Sequence, residues 1–431
     1  MSLPPWKVRL TGSSAGTLDQ VIVQIELVDR AIPPDGFITF NGWDRDADVI
    51  LVDYNNQALI RLNELYDGQY INHQGKGACE RLDNAWLGGM VSEQDFGDNN
   101  WVFHLWAVDD AGILLDTWIS DGIAFFSPGR AQHLKLFRWG DGAVVIYSSL
   151  QEDVWPRPYR ICARYVTFDG TNLSVSGELV IHSDAEGGAF EFAAESDTVA
   201  YVSSMDIATQ QTTRIVEINR AGSTLSVGSG SVSKNLGTSE IKWVGGLLSV
   251  GAGLVAFIYE NDNGFGRVEA TVVNVSAGTE VDSLEIGTLG RDSSVWLGGS
   301  QFQVLTGDSL VDLGDGKFGA AINTWFSSPF FEERPTFAVV AFSGSTLTLE
   351  SIVHTAAVPQ TSDRTGGRLI KVGSGWLHLV TPWVTAHKTD ISTVFLNGEF
   401  APVSENSGYL TYAGGDSGNT VGLATQIPSS D

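Results

Sequence analysis

Apolar residues in this chain fall into short runs, continuous or alternating, that end at glycine-marked turns. A helix would need apolar positions three and four apart over ten or more residues, whereas runs of this length and period read as strands. Five segments share one template. AVVIYSS, TVAYVSS, LVAFIYE, KFGAAINTW and WLHLVTP each follow a turn and give way to a polar loop. A second run comes next: YRICARYVTF, TRIVEIN, RVEATVVNV, RPTFAVVAF and ISTVFL. The turns Asp169-Gly170, Ala221-Gly222, Ala277-Gly278, Ser343-Gly344 and Asn397-Gly398 then lead into a third run, such as STLSV or STLTLESIV. Asp-Gly and Asn-Gly between apolar runs are hairpin signals, because glycine reaches the positive φ that tight hairpin turns require. One more strand precedes each copy (HLKLFRW, AFEFAAE, IKWVGGLLSV, FQVLTGDSLVDL, RLIKV), which makes four antiparallel strands per unit.

The copies open at Gly142, Asp197, Gly253, Gly316 and Gly375, spaced 55, 56, 63 and 59 residues apart. Earlier in the chain, residues 47–65 (ADVILVDYNNQALIRLNEL) and 99–119 (NNWVFHLWAVDDAGILLDTWI) read as two more divergent units, opening near 48 and 100. Residues 1–40 hold one strand-like stretch, VIVQIEL, expected to form a separate N-terminal segment, with the repeat occupying 41–431. The tail, SGYLTYAGG and then TVGLATQI, offers strands to complete the first unit. A four-stranded sheet cannot bury both faces alone, but stacking copies face to face in a ring does. The template resembles β-propeller repeat proteins. That resemblance implies an all-β fold, a β-propeller of six or seven four-stranded antiparallel blades. The five copies do not end in the Trp-Asp dipeptide of WD40 blades, and the sialidase Asp-box has one degenerate echo at Ser404–Gly408, with Asn406 in place of Asp.

Composition agrees with this architecture. At 431 residues the chain exceeds what one core usually serves, and repetition removes the problem. A hydrophobic fraction of 43% excludes disorder, and 49 glycines among many β-formers favour strands joined by turns. The net charge of −26 repels phosphate backbones, so nucleic acid is excluded as a partner. No apolar stretch reaches the length of a membrane helix, so no membrane insertion is expected. Cys79 and Cys162 are too few for a disulfide framework and read as small buried hydrophobes. The start, MSLPPWKVRL, has no apolar core of a signal peptide, which predicts synthesis in a host cytoplasm without export. A leaderless, acidic, Gly-, Ser- and Thr-rich all-β chain is also similar in style to virion proteins of tailed viruses. That likeness implies a place in the virion, with other virion proteins, a homo-oligomer of itself or a cell-surface glycan as partners.

Candidate chemistry is sparse. Asp44, Asp46 and Asp48 form a D-x-D-x-D run that a hard cation such as Ca2+ could use as its oxygen ligands; the competing reading is solvated turn acids. No other cofactor is indicated. Trp155 and Tyr159 in one loop, and Trp325, Phe331 and Arg334 in another, place aromatic and cationic groups where a binding rim would have them. Gly12–Gly16 matches G-x-S-x-G but lacks the strand-to-helix context of a hydrolase elbow. The seven histidines show no metal-ligand spacing and are expected to be structural. Three functions follow: a structural or receptor-binding component of a virus particle, a glycan-acting hydrolase or lectin with its site in a central depression, and a cytoplasmic protein-binding scaffold.

Overall fold

The computed structural model describes residues 36–412 except 44–45, 54–57, 67–69, 72–77, 94–99, 121–122, 125–133, 151–158, 207, 209–211, 237–243, 262–266, 288–292, 297–298, 301–302, 305–309, 327–331, 356–366, 373 and 381–388. All regular structure among these residues is β-strand. The first sheet holds Gly36–Trp43, Asp46–Asp53 and Ala58–Tyr66. The second is built on Ala78–Arg81, Trp86–Glu93, Asn100–Val108 and Leu114–Ile119. The third runs Leu134–Trp139, Gly142–Leu150, Tyr159–Phe168 and on into Leu179–Ala194. That last strand does not stop. Its first part pairs back onto Tyr159–Phe168 and its second part becomes the first strand of the fourth sheet, with Val199–Asp206, Thr212–Ala221 and Thr224–Asn235.

Three further meanders follow, the sixth sheet with a fifth short strand, Ser293–Trp296. The fifth sheet is Val244–Gly251, Leu254–Asn261, Arg267–Asn274 and Thr279–Gly287. The sixth is Leu310–Gly314, Lys317–Phe326, Glu332–Ser343 and Thr346–His354. The seventh is Gly367–Val372, Gly375–Val380, Thr389–Leu396 and Pro402–Tyr412. Each expected opening from Gly142 onward falls at a first hairpin. The openings expected near 48 and 100 fall inside the Asp46–Asp53 strand and at the start of the third strand of the second sheet. Ala58–Tyr66 lies beside Pro402–Tyr412, but no ladder joins them among the described residues.

Successive side chains of a strand point to opposite faces, and here both faces are dry. In Gly142–Leu150, Val145 and Tyr147 pack with Leu87, Phe103 and Leu105 of the second sheet, while Val144 and Ile146 pack with Phe190, Phe192 and Val202 of the fourth. The same division recurs in the sixth sheet. Phe318, Ala320 and Ile322 join the fifth-sheet core, whereas Phe337 and Val339 meet Leu396 and Phe400 of the seventh. Cys79 and Cys162 are free and buried, and burial pushes the Cys162 thiol up to about 12. The chain is an all-β repeat of antiparallel meanders stacked face to face, the architecture of a β-propeller.

The first hairpins of the third, fifth and sixth sheets are tight. Ala252-Gly253 and Asp315-Gly316 both have positive φ at their two central positions (54° and 77°, 53° and 73°), as a type I′ turn requires. Gly142 is glycine for a different reason, since a Cβ there would lie 2.3 Å from the carbonyl oxygen of Val166. Polar clamps tie these hairpins sheet to sheet. Arg138 spans to Asp83 (2.7 Å) and Arg220 to Asp141 (2.8 Å). Arg220 also donates to the carbonyls of Asp197 and Gly222 and lies 4.5 Å over the Tyr165 ring. Tyr165 in turn donates to Asp141 and to the carbonyl of Trp139. The outer strands carry a matching device: Asp116 accepts the N–H of Leu173, and Asp282 accepts that of Leu347.

The two members of the Arg220–Asp141 pair are unequal, because the Arg220 side chain is 10% exposed and that of Asp141 is 74%. Arg220→Ala is expected to cost about 2–3 kcal/mol, from charge-assisted bonds and ring stacking together. Asp141→Ala is expected to cost about 1 kcal/mol or less, as for exposed pairs. Urea unfolding of both variants checks this, and equal losses would refute the clamp.

Candidate functional site

The end of the sheets opposite the tight hairpins carries the connections between second and third strands, where the rim residues were expected. Trp155 and Phe331 lie outside the described residues, as does Asp44. Trp325 and Arg334 fall on facing strands of one hairpin, where Trp325 is registered with Glu333 and Thr324 with Arg334. Trp325 and Arg334 are therefore one step out of register and lie on opposite faces of the sixth sheet. Tyr159 belongs to the third sheet and starts the strand Tyr159–Phe168; it is 3% exposed and contributes to packing. Asp46 and Asp48 stand in the Asp46–Asp53 strand, registered with Trp43 and Asn41 on one side and with Tyr66 and Glu64 on the other. Among the described residues no three His, Cys, Asp or Glu side chains converge as a metal site would need.

What occupies this end between the third and fourth sheets is a buried polar cluster. Its sequence signal is the Ser-Ser that closes two second strands, Ser148-Ser149 and Ser203-Ser204. A β-bulge positions the histidine. Ile161 is registered with His182 and Cys162 with Val180, so Ile181 is the extra residue. An added residue lets neighbouring side chains face the same way. Ile181 enters the core shared with the fourth sheet, and His182 Nδ1 shares a 2.7 Å hydrogen bond with Ser204 Oγ. Thr213 donates to the Ser204 carbonyl, and Ser203 Oγ accepts the backbone N–H of Glu191. Ser148 Oγ, also buried, has no hydrogen-bond partner among the described residues.

An ion pair completes the cluster. Lys135 on the first strand of the third sheet reaches Glu191 on the first strand of the fourth (2.7 Å), donates to the Phe190 carbonyl and covers the Phe190 ring. Glu191 is almost fully buried. Removing one member of such a pair strands the other charge in a poorly solvated place, so the pair fixes how these two sheets meet. Burial holds the His182 imidazole below its ordinary range; the Arg214 guanidinium adds to this, while Asp206 and Asp184 oppose it. A hydroxyl bonded to a neutral imidazole is the pair used in nucleophilic catalysis. Ser204 is 1% exposed, however, and closed to a substrate from outside. The cluster acts as the fixed base beneath the loops.

The sequence matches no family model and no curated protein. Among solved structures it is similar to the WD40 domain of SCAP from fission yeast, at 9% identity and a TM-score of 0.40 over 90% of this chain and 88% of that one. It is also similar to the Trypanosoma rangeli sialidase in complex with sialic acid, at 12% identity and a TM-score of 0.35 over 81% and 71%. The third likeness is to a Mycobacterium tuberculosis puromycin-hydrolyzing peptidase, at 10% identity and a TM-score of 0.42 over 86% of this chain and 53% of that one. This chain thus spans about half the length of the peptidase. These are likenesses in the general arrangement of strands, and the fold itself rests on the sheets and cores described above.

The lowered His182 pKa carries a sign. Between its folded value and the ordinary 6.5, the unfolded chain binds a proton that the folded protein does not. Stability contributed by neutral His182 is therefore full above pH 6.5 and lost as pH falls below it. Urea midpoints at pH 7.5 and 5.5 should differ more for the natural protein than for His182→Gln, and an unchanged difference would remove His182 from the account.

Proposed function

We propose that this protein is a binding module that presents loops at one end of a rigid, multi-sheet body to a macromolecular partner, as a tail- or fibre-associated component of a virus particle. The asymmetry of the two ends carries this reading. One end is closed by turns of two to five residues and by charge clamps. At the other, the connections QEDVWPRP (151–158), IATQQ (207–211), DNGFG (262–266), SSPFF (327–331) and TPWVTAHK (381–388) share no pattern. Uniform scaffold with divergent loops is how folds separate stability from recognition. The loops also hold aromatic residues, the side chains that dominate binding energy at interfaces. The charge of −26 supports the virion setting, since like charge keeps free subunits apart until a partner is met.

The test combines Trp155→Ala, Trp325→Ala, Phe331→Ala and Arg334→Ala in one chain. Native mass is measured at two salt concentrations, with and without Ca2+, beside retention on host-cell envelopes. The natural protein is expected to bind envelopes or assemble into a defined oligomer, and the variant to lose at least tenfold in affinity with its thermal midpoint unchanged. A monomer without envelope binding under every condition overturns the proposal, as does turnover of a glycan substrate by the natural protein.

A further inference from the structure

The outer edge of the second sheet differs from every other outer edge that is described. Eight large apolar side chains are exposed among the described residues, and four of them sit together: Ile113 (51%), Leu114 (40%), Leu115 (38%) and Ile119 (48%). The remaining four, Val180, Val227, Val353 and Val403, are scattered singly over other fourth strands. Those strands read TLSVGSGSVSKN, TEVDSLEIG and TLTLESIVH, rich in Ser, Thr and acids. Charged residues guard an edge against pairing. In LLDTWI the one charge, Asp116, is turned to Leu173, and the register shifts at Leu115, so 116–119 is the regular stretch of the edge.

The strand is also set up to pair. Ser120 donates its N–H to the Phe103 carbonyl (3.0 Å), and the register continues as His104–Ile119, Leu105–Trp118 and Trp106–Thr117. Hydrogen-bonded pairs alternate along an antiparallel ladder. Trp118 therefore bonds inward like Ser120, while Thr117 and Ile119 aim their N–H and C=O groups away from the sheet. Leu114–Ile119 is the last strand in the sheet order. Its inward-facing residues are anchored: Trp118 lies 5.3 Å from the Phe103 ring, and Asp116 holds the N–H of Leu173. An edge already fixed in extended form spares an incoming strand the entropy of ordering it.

We infer that Leu114–Ile119 is a strand-addition site for an extended, basic segment of another protein, whose alternate apolar side chains meet Leu115 and Ile119. Charge selects this occupant over a second copy. Asp109 and Asp169 stand at the turns beside the edge, and Asp169 is fully exposed. The nearby cations are engaged, Arg81 with Asp110 and Arg164 with Glu178. Pairing with another copy at this edge would set these turn acids against those of the second chain. The main-chain ladder supplies affinity in this mode and alternate side chains supply specificity. The surface is an outer sheet edge, separate from the loops invoked above.

The experiment measures fluorescence anisotropy of a labelled nine-residue peptide of alternating Val and Lys added to the full chain. Its companions are a Val/Glu peptide and a Val/Lys peptide N-methylated at alternate amides. The Val/Lys peptide is expected to bind at least tenfold more tightly than either companion. Thr117→Pro removes an outward N–H that the sheet does not use, and is expected to cost at least tenfold in binding. Ile119→Lys keeps the ladder donors and repels the basic strand, so it should lose binding as well, whichever variant folds better. Equal binding of all three peptides, or none by any, overturns the proposal. A dimer of the natural chain that Thr117→Pro converts to monomer overturns it in favour of self-pairing.

Discussion

The central sheets of this protein depend on their neighbours to keep water off both faces. A strand such as Gly142–Leu150 has no polar face to offer solvent: odd-numbered residues from Ala143 to Tyr147 serve the core before it, and Val144 and Ile146 serve the core behind. Fully burying one such side chain is worth about 1.5–3 kcal/mol, but only when the adjacent sheet is present to cover it. Stability is therefore a property of adjacent pairs, as in other repeat folds. The 16-residue strand Leu179–Ala194 makes that coupling covalent and hydrogen-bonded at once, since it closes one sheet and opens the next without a break.

Apolar stacking alone leaves sheets free to slide, and directional contacts remove that freedom. Lys135–Glu191 joins first strand to first strand, Arg220–Asp141 joins hairpin to hairpin, and Asp116 and Asp282 join outer strand to outer strand. These contacts act at the inner edge, at the hairpin end and at the outer edge. Together they fix rotation as well as separation. The loop end then inherits a fixed base, with His182, Ser204 and Thr213 hydrogen-bonded in the seam beneath it.

Turn chemistry made the later repeats legible in the sequence, because Gly253, Asp315 and Gly316 are residue types that tolerate the positive φ these hairpins need, although Ala252 adopts it against its own preference. The earlier sheets were harder to read. Trp86–Glu93 contains Gly88-Gly89, which interrupts the apolar run, yet a Cβ at Gly89 would press within 2.9 Å of Leu134. The glycine is there for packing and hides the strand from a pattern search. The bulge at Ile181 and the Lys135–Glu191 pair were invisible for a related reason, since both join residues of sheets whose relative placement no local pattern encodes. The Ser-Ser endings were in plain view but carried meaning only once two sheets met. Of the expected rim, Trp325 and Arg334 share one hairpin, which the pattern implies, but fall on opposite faces of it, and the burial of Tyr159 depends on the neighbouring sheet.

The clamps also shape the field that a partner meets. Their cations are recessed and their carboxylates face outward: the Arg138 side chain is 20% exposed against 86% for Asp83, and Arg220 and Asp141 divide in the same sense. Each pair is neutral in sum but leaves its negative end toward solvent. Groups beyond about a Debye length sense the net charge weakly, while a docking surface within a few ångströms senses the exposed carboxylate first. The interactions that lock the sheets together thereby make the near surface more acidic than composition alone requires. A basic partner gains from that arrangement at the sheet edges as well as at the loops. On the reading proposed above, the scaffold then contributes to the choice of partner as well as to the display of loops.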